Sequence, residues 1–155
     1  MDEPKDFWLQ AQAFHLEQRF EEAEKLYVML LEQNHDNTGL MATLGSLYVQ
    51  MGKPGLGIHF LHASMKAGFD NCDVQTNLGL AYKKAGQLQK AREYFDLSVS
   101  KDPSPEALTN YSGLFIESGQ NEKCIDLCEK ALQGNPELPI AHWNLAISLL
   151  GEGVW

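Results

Sequence analysis

"TNLGLAY", residues 76–82, is written again with changes as "TNYSGLF" at 109–115 and as "WNLAISL" at 143–149. Each copy sets an asparagine at the same place: Asn77, Asn110 and Asn144. The intervals between them are 33 and 34 residues. Asparagine competes with the helix backbone for hydrogen bonds and is a mediocre interior helix former. Its recurrence therefore needs a cause, and so does the period.

The surrounding chain keeps the same period. "LGLAY" (78–82) matches "LGSLY" (44–48), with Leu, Gly and Tyr in register. "GQLQKAREYF" (86–95), "GQNEKCIDLC" (119–128) and "QRFEEAEKLY" (18–27) align as a second helical pattern, expected to open on a small residue, as it does at Gly86 and Gly119. Ala91 and Phe95, Cys124 and Cys128, and Ala23 and Tyr27 fall in its core slots. Breakers follow each unit: "NHDN" at 34–37, "GFDN" at 68–71, "DPSP" at 102–105 and "NPELP" at 135–139. Ser104 before Pro105, and Asp70–Asn71, offer cap oxygens for the helices that follow.

A unit of about 34 residues, helix–turn–helix–turn, has the period of a tetratricopeptide repeat (TPR). The chain resembles that family, most closely over 72–104, where Leu78, Gly79, Tyr82, Gly86, Ala91, Phe95 and Pro103 stand as the family has them. Repeats are read at 4–37, 38–71, 72–104 and 105–138, with a terminal helix over 139–152, all in one domain spanning 1–155. The family's early tryptophan is replaced by Phe7, Met41, Gln75 and Leu108. Pro54 opens the second helix of the second repeat, and Gly57 stands there where alanine is usual, so that helix packs closer or less firmly. The resemblance implies an all-α, right-handed superhelix, an α-solenoid. Helix pairs that cannot bury both apolar stripes alone close a core by stacking.

In such arrays the first helices of the pairs line the concave face. Asn77, Asn110 and Asn144 would then form a row of carboxamides, each both donor and acceptor, able to hold the backbone of an extended peptide. This is similar to the asparagine ladder of the TPR superhelix in O-linked N-acetylglucosamine transferases. The slot holds Thr43 in the second repeat and Leu9 in the first. The alternative is that these amides bond to neighbouring helices and serve the fold. Lys84 and Trp143 complete the candidate peptide-binding groove, whose expected inner face also takes in Trp8, His15, Asp73, Lys83, Glu106 and Glu117. A basic clamp of the kind that co-chaperones use for acidic tails is not present: Lys83 and Lys84 come from one repeat, and a solvated pair at a helix end is their simpler reading.

The formal net charge is −9, and nine acids against three bases fall in the first 37 residues. Such a surface repels phosphate backbones and anionic lipid, which argues against nucleic-acid and membrane partners. No stretch is long and apolar enough to span a bilayer. Three cysteines, Cys72, Cys124 and Cys128, are an odd count without a disulfide spacing, which favours a reducing, cytoplasmic setting. Cys124 and Cys128 occupy core slots and read as inert thiols rather than metal ligands. His59 and His62, without a third ligand nearby, read as surface residues. "GKPGLG" at 52–57 is the turn inside a repeat, not a phosphate cradle. No catalytic motif, metal site or cofactor is expected.

The expected function is binding of an extended peptide or partner segment in the concave groove; the alternative is a self-assembling scaffold joined through its terminal helices. The stretch "AHWNLAISLLGEGVW" (141–155) is similar to the last repeats of TPR-fused glycosyltransferases, so the chain is expected to be part of a larger protein of that kind.

Overall fold

The structure is a computed structural model that describes residues 4–153. Residues 1–3 and 154–155 lie outside the description, and with them the part of the C-terminal reading that rests on Trp155. Among the described residues there are nine helices: α1 (Pro4–Leu16), α2 (Phe20–Gln33), α3 (Thr38–Gln50), α4 (Pro54–Lys66), α5 (Cys72–Lys84), α6 (Leu88–Lys101), α7 (Pro105–Glu117), α8 (Asn121–Gly134) and α9 (Pro139–Gly151). Consecutive helices pack as pairs, α1 on α2, α3 on α4, α5 on α6 and α7 on α8, and α9 lies against both α8 and α7.

The breakers act as their chemistry requires. Asn37, Asn71 and Ser104 accept from the backbone N–H groups of Leu40, Val74 and Ala107 at 3.0, 2.9 and 3.2 Å. Each satisfies a donor that the first helical turn leaves open, at about 1 kcal/mol per cap. Asp70 does not share the capping: it accepts from Gln75 at 2.6 Å and pairs with Lys101 at 3.3 Å, tying the start of α5 to the end of α6.

The pairs close around small residues. A Cβ on Gly79 would stand 2.8 Å from the Phe95 ring, and one on Gly45 would stand 2.6 Å from Leu61 Cγ. A Cβ on Gly57 would meet Val49 Cγ2 at 2.6 Å and the Gly45 carbonyl oxygen at 3.1 Å. Of the two expectations for α4, closer packing is the one found. Phe95, Leu61, Leu78, Cys124 and Cys128 are fully buried in a core that runs from α3 to α8. Ala11, Tyr27, Leu44 and Leu47 form the core of the first two pairs.

The turn inside each pair needs one residue in the left-handed region. Gly52, Gly86 and Gly119 fill that slot at φ 72°, 75° and 67°, and Gly153 follows α9 at 70°. In the first pair the slot holds Gln18 at φ 59°, so the expectation of a small residue fails there. A side chain with Cβ costs about 1–2 kcal/mol in this conformation. Gln18→Gly should therefore stabilise the chain by about 1 kcal/mol, after the added freedom of the unfolded glycine is counted. Thermal unfolding should rise by about 2–4 °C; no change would mean that the turn carries no strain.

His62 differs from the sequence expectation. It is half-buried on α4, with Nε2 2.9 Å from the Tyr82 hydroxyl and its ring edge-on to Tyr82 and Tyr94. Burial, and then the charges of Lys66 and Lys90, hold its pKa below the usual histidine value. The folded state thus prefers neutral His62, and the unfolded chain binds the proton more readily. That contribution is complete above about pH 6.5 and is lost as pH falls through the lowered value. The urea midpoint should fall between neutral pH and pH about 5, and His62→Gln should flatten that part of the profile.

Candidate functional site: the concave cleft

The odd-numbered helices from α3 to α9 lie side by side, each against the next. α1 packs mainly on α2 and stands off from α3, leaving the concave face open at the first repeats. A cleft of about 540 Å³ fills that gap. Trp8 and His15 line it from α1, Leu40 and Thr43 from α3, and Val74 and Asn77 from α5.

Large side chains of α1 are fixed from behind. Trp8 tilts against Tyr27 with ring centroids 5.5 Å apart. His15 lies between the Tyr27 hydroxyl at 3.5 Å and Gln50 Oε1 at 3.2 Å. The polar rim is then set by helix starts. Asn37 and Asn71 both line the cleft, and their Oδ1 atoms are committed to capping. Neither Nδ2 has an acceptor among the described residues, so each remains a donor toward the cleft. Thr43 gives its proton to the Gly39 carbonyl at 3.0 Å, which leaves the hydroxyl oxygen as an acceptor. Asn77 is half-buried and its carboxamide makes no hydrogen bond among the described residues.

The three asparagines of the repeat do not share one environment. Asn77 opens on the cleft, whereas Asn110, also half-buried and without a side-chain partner among the described residues, does not line it. Asn144 is 7% exposed, and its Nδ2 donates to Ser112 Oγ at 2.9 Å, tying α9 to α7. Ser112 stands where the second and third repeats have Gly45 and Gly79. Only the fourth repeat therefore offers an oxygen to the amide stacked on it, and there the amide serves the fold. The expected continuous row is broken at that end.

Lys84 is likewise engaged within the molecule. Its Nζ donates to the Val49 carbonyl at 2.8 Å, in the last turn of α3, where a cation complements the negative end of the helix dipole. Lys83 pairs with Glu117 of α7 at 3.0 Å and is not the freely solvated group expected. Trp143 is 67% exposed on α9, away from the cleft, in a ridge with Ile140, Ile147 and Leu150. Cys124 and Cys128 are fully buried, and burial pushes the Cys128 thiol well above its ordinary pKa, as suits an unreactive core group. Asn37 was legible only as a breaker, and Asn71 as a breaker and a cap. That the caps of α3 and α5 also open on the concave cleft depends on the stacking, which the local sequence does not show.

The tetratricopeptide-repeat family model matches residues 72–105. Over 108 residues the chain is 30% identical to the Vi polysaccharide export protein VexE of Salmonella typhi, covering 66% of this chain and 16% of that protein. Over 137 residues it is 25% identical to the probable UDP-N-acetylglucosamine–peptide N-acetylglucosaminyltransferase SPINDLY of Hordeum vulgare, covering 83% of this chain and 14% of that protein. The chain thus spans about a sixth of the length of these curated relatives. Among solved structures, a thermophilic TPR protein from Thermus thermophilus superposes with a TM-score of 0.83 at 17% identity, covering 96% of this chain and 82% of that one. The MamA protein gives 0.75 at 18% identity over 97% and 83%. YrrB, described as a TPR protein with an unusual peptide-binding site, gives 0.68 at 17% identity over 98% and 79%. The chain carries a tetratricopeptide repeat at 72–105 and folds as a TPR solenoid.

Proposed function

We propose that this chain is a protein-interaction module whose concave cleft between α1, α3 and α5 holds an extended peptide. The observation that carries the reading is the set of open amide and hydroxyl valences on Asn37, Thr43, Asn71 and Asn77 around an apolar floor that includes Trp8, Leu40 and Val74. Backbone carbonyls and N–H groups of a peptide satisfy such valences without regard to its side chains. The peptide-binding site of YrrB supports the same use of this fold. The net charge of −9, and a lining of the concave cleft that has no Lys or Arg among the described residues, favour a protein over a nucleic-acid partner.

Asn77→Ala should weaken binding of peptides selected on this chain by about fivefold, the value of one net hydrogen bond, and leave thermal stability nearly unchanged. Asn144→Ala should do the reverse, with unchanged affinity and about 1 kcal/mol less stability. Calorimetric titration and thermal melts read both. Equal affinities for the wild type and Asn77→Ala would remove the amide from the site.

Likeness to SPINDLY supports a finer reading, that the module presents protein acceptors to a glycosyltransferase in a larger protein. The free thiols of Cys72, Cys124 and Cys128 support a cytoplasmic setting. A second reading has its own observation: the exposed ridge of Ile140, Trp143, Ile147 and Leu150 on α9 could join copies of the chain. Sedimentation of Trp143→Ser against the wild type separates the two, because only self-assembly makes the mass depend on that ridge.

A further inference from the structure

The groove differs chemically along its length. At the first repeat a cleft of about 480 Å³ opens between α1, the end of α2 and the start of α3. Trp8, Leu9, Leu30 and Leu40 form its apolar walls, and Leu9 is 63% exposed at the mouth. Trp8, Asn37 and Leu40 also line the amide-rimmed cleft, so the two adjoin across these side chains. Farther along, Asp73 lines that second cleft from the first turn of α5. Asp73 is exposed and takes part in none of the ion pairs among the described residues. The same holds for Glu32 and Asp36, close to the apolar end. Neither cleft is lined by Lys or Arg among the described residues.

Resting on the reading that this groove holds a peptide, we infer that it selects a segment with one bulky apolar side chain, seated between Trp8, Leu9, Leu30 and Leu40, and a Lys or Arg opposite Asp73. The apolar cleft has the size of a small-ligand pocket, ample for one side chain. Removing a Leu or Phe side chain from water there is worth tenfold or more in affinity. The carboxylate adds a smaller preference, about two- to fivefold, because the pair remains near solvent. Neighbouring helices lie about 8–10 Å apart and an extended chain advances about 3.3 Å per residue. The step from α3 to α5 therefore separates the two side chains by about three residues. The negative field of the first repeats favours approach of the same basic segments.

The test is phage display of short random peptides against the full chain, Asp73→Lys, Leu9→Ser and Asn77→Ala. Asp73 and Leu9 are exposed, so these variants are expected to keep the helical circular-dichroism signal. The wild type should enrich peptides with a bulky apolar residue and a Lys or Arg about three positions away. Asp73→Lys should exchange the basic preference for Asp or Glu and keep the apolar one; Leu9→Ser should flatten the apolar preference alone. Peptides that depend on Asn77 but show neither preference, or whose charge preference ignores Asp73→Lys, would overturn the inference while leaving a peptide groove standing. No enrichment on any protein would remove the groove reading itself. Sedimentation of the wild type and Leu9→Ser closes the remaining route: a wild-type dimer that Leu9→Ser dissociates would place a second copy in the apolar cleft and overturn the selected-peptide proposal.

Discussion

Phe95→Ala should lower stability by about 3–5 kcal/mol, the largest loss expected from any single change considered. Phe95 is fully buried, stacks on Tyr111 with ring centroids 5.3 Å apart, and lies over the space that Gly79 leaves open. It therefore joins α5, α6 and α7 at one point. Truncation removes the ring's burial and leaves a cavity that helices held by flanking pairs cannot close. Thermal unfolding should fall by roughly 10 °C or more. Because each pair of a solenoid rests on its neighbours, the transition should also broaden as the first two pairs and the last helices separate in stability. A loss under about 1 kcal/mol would mean that the third repeat is not the centre of the core.

Gly45→Val is expected to cost about 2–3 kcal/mol by overpacking. Its Cβ would stand 2.6 Å from Leu61 Cγ and 3.0 Å from the Leu61 backbone nitrogen. A flexible side chain could give way, but a backbone nitrogen moves only if α4 moves. Gly57 blocks the same crossing from the other side, 3.1 Å from the Gly45 carbonyl oxygen once a Cβ is added. Better helix propensity than glycine offsets only a few tenths of a kcal/mol for a β-branched residue. Equilibrium urea unfolding measures the loss; wild-type stability would mean that α3 and α4 do not cross as closely as described.

The fold was legible because its period is written in the core. Leu78, Gly79, Tyr82, Ala91 and Phe95 recur at helical spacing and at fixed intervals, and packing demands the same residue sizes in every pair. The site was only partly legible. Trp8, His15, Thr43 and Asn77 follow from knowing which helices face the concave side. Asn144 and Lys84 could not be placed that way, because their roles are decided by what a neighbouring repeat offers. Ser112 in place of a glycine gives Asn144 a partner, and the Val49 carbonyl, already accepting from Gly52 N–H, takes Lys84 as a second donor. Gln75 shows the same limit: it sits in the family's tryptophan slot, 2% exposed, with Oε1 unpartnered among the described residues.

The side-chain amide region of an NMR spectrum, followed while a display-selected peptide is added, reads the proposed site directly. Binding in the concave cleft should shift the carboxamide signals of Asn37, Asn71 and Asn77 together with the Trp8 indole, and leave Asn144 and the Trp143 indole unmoved. Shifts confined to Trp143 and α9, with the three cleft amides silent, would contradict it.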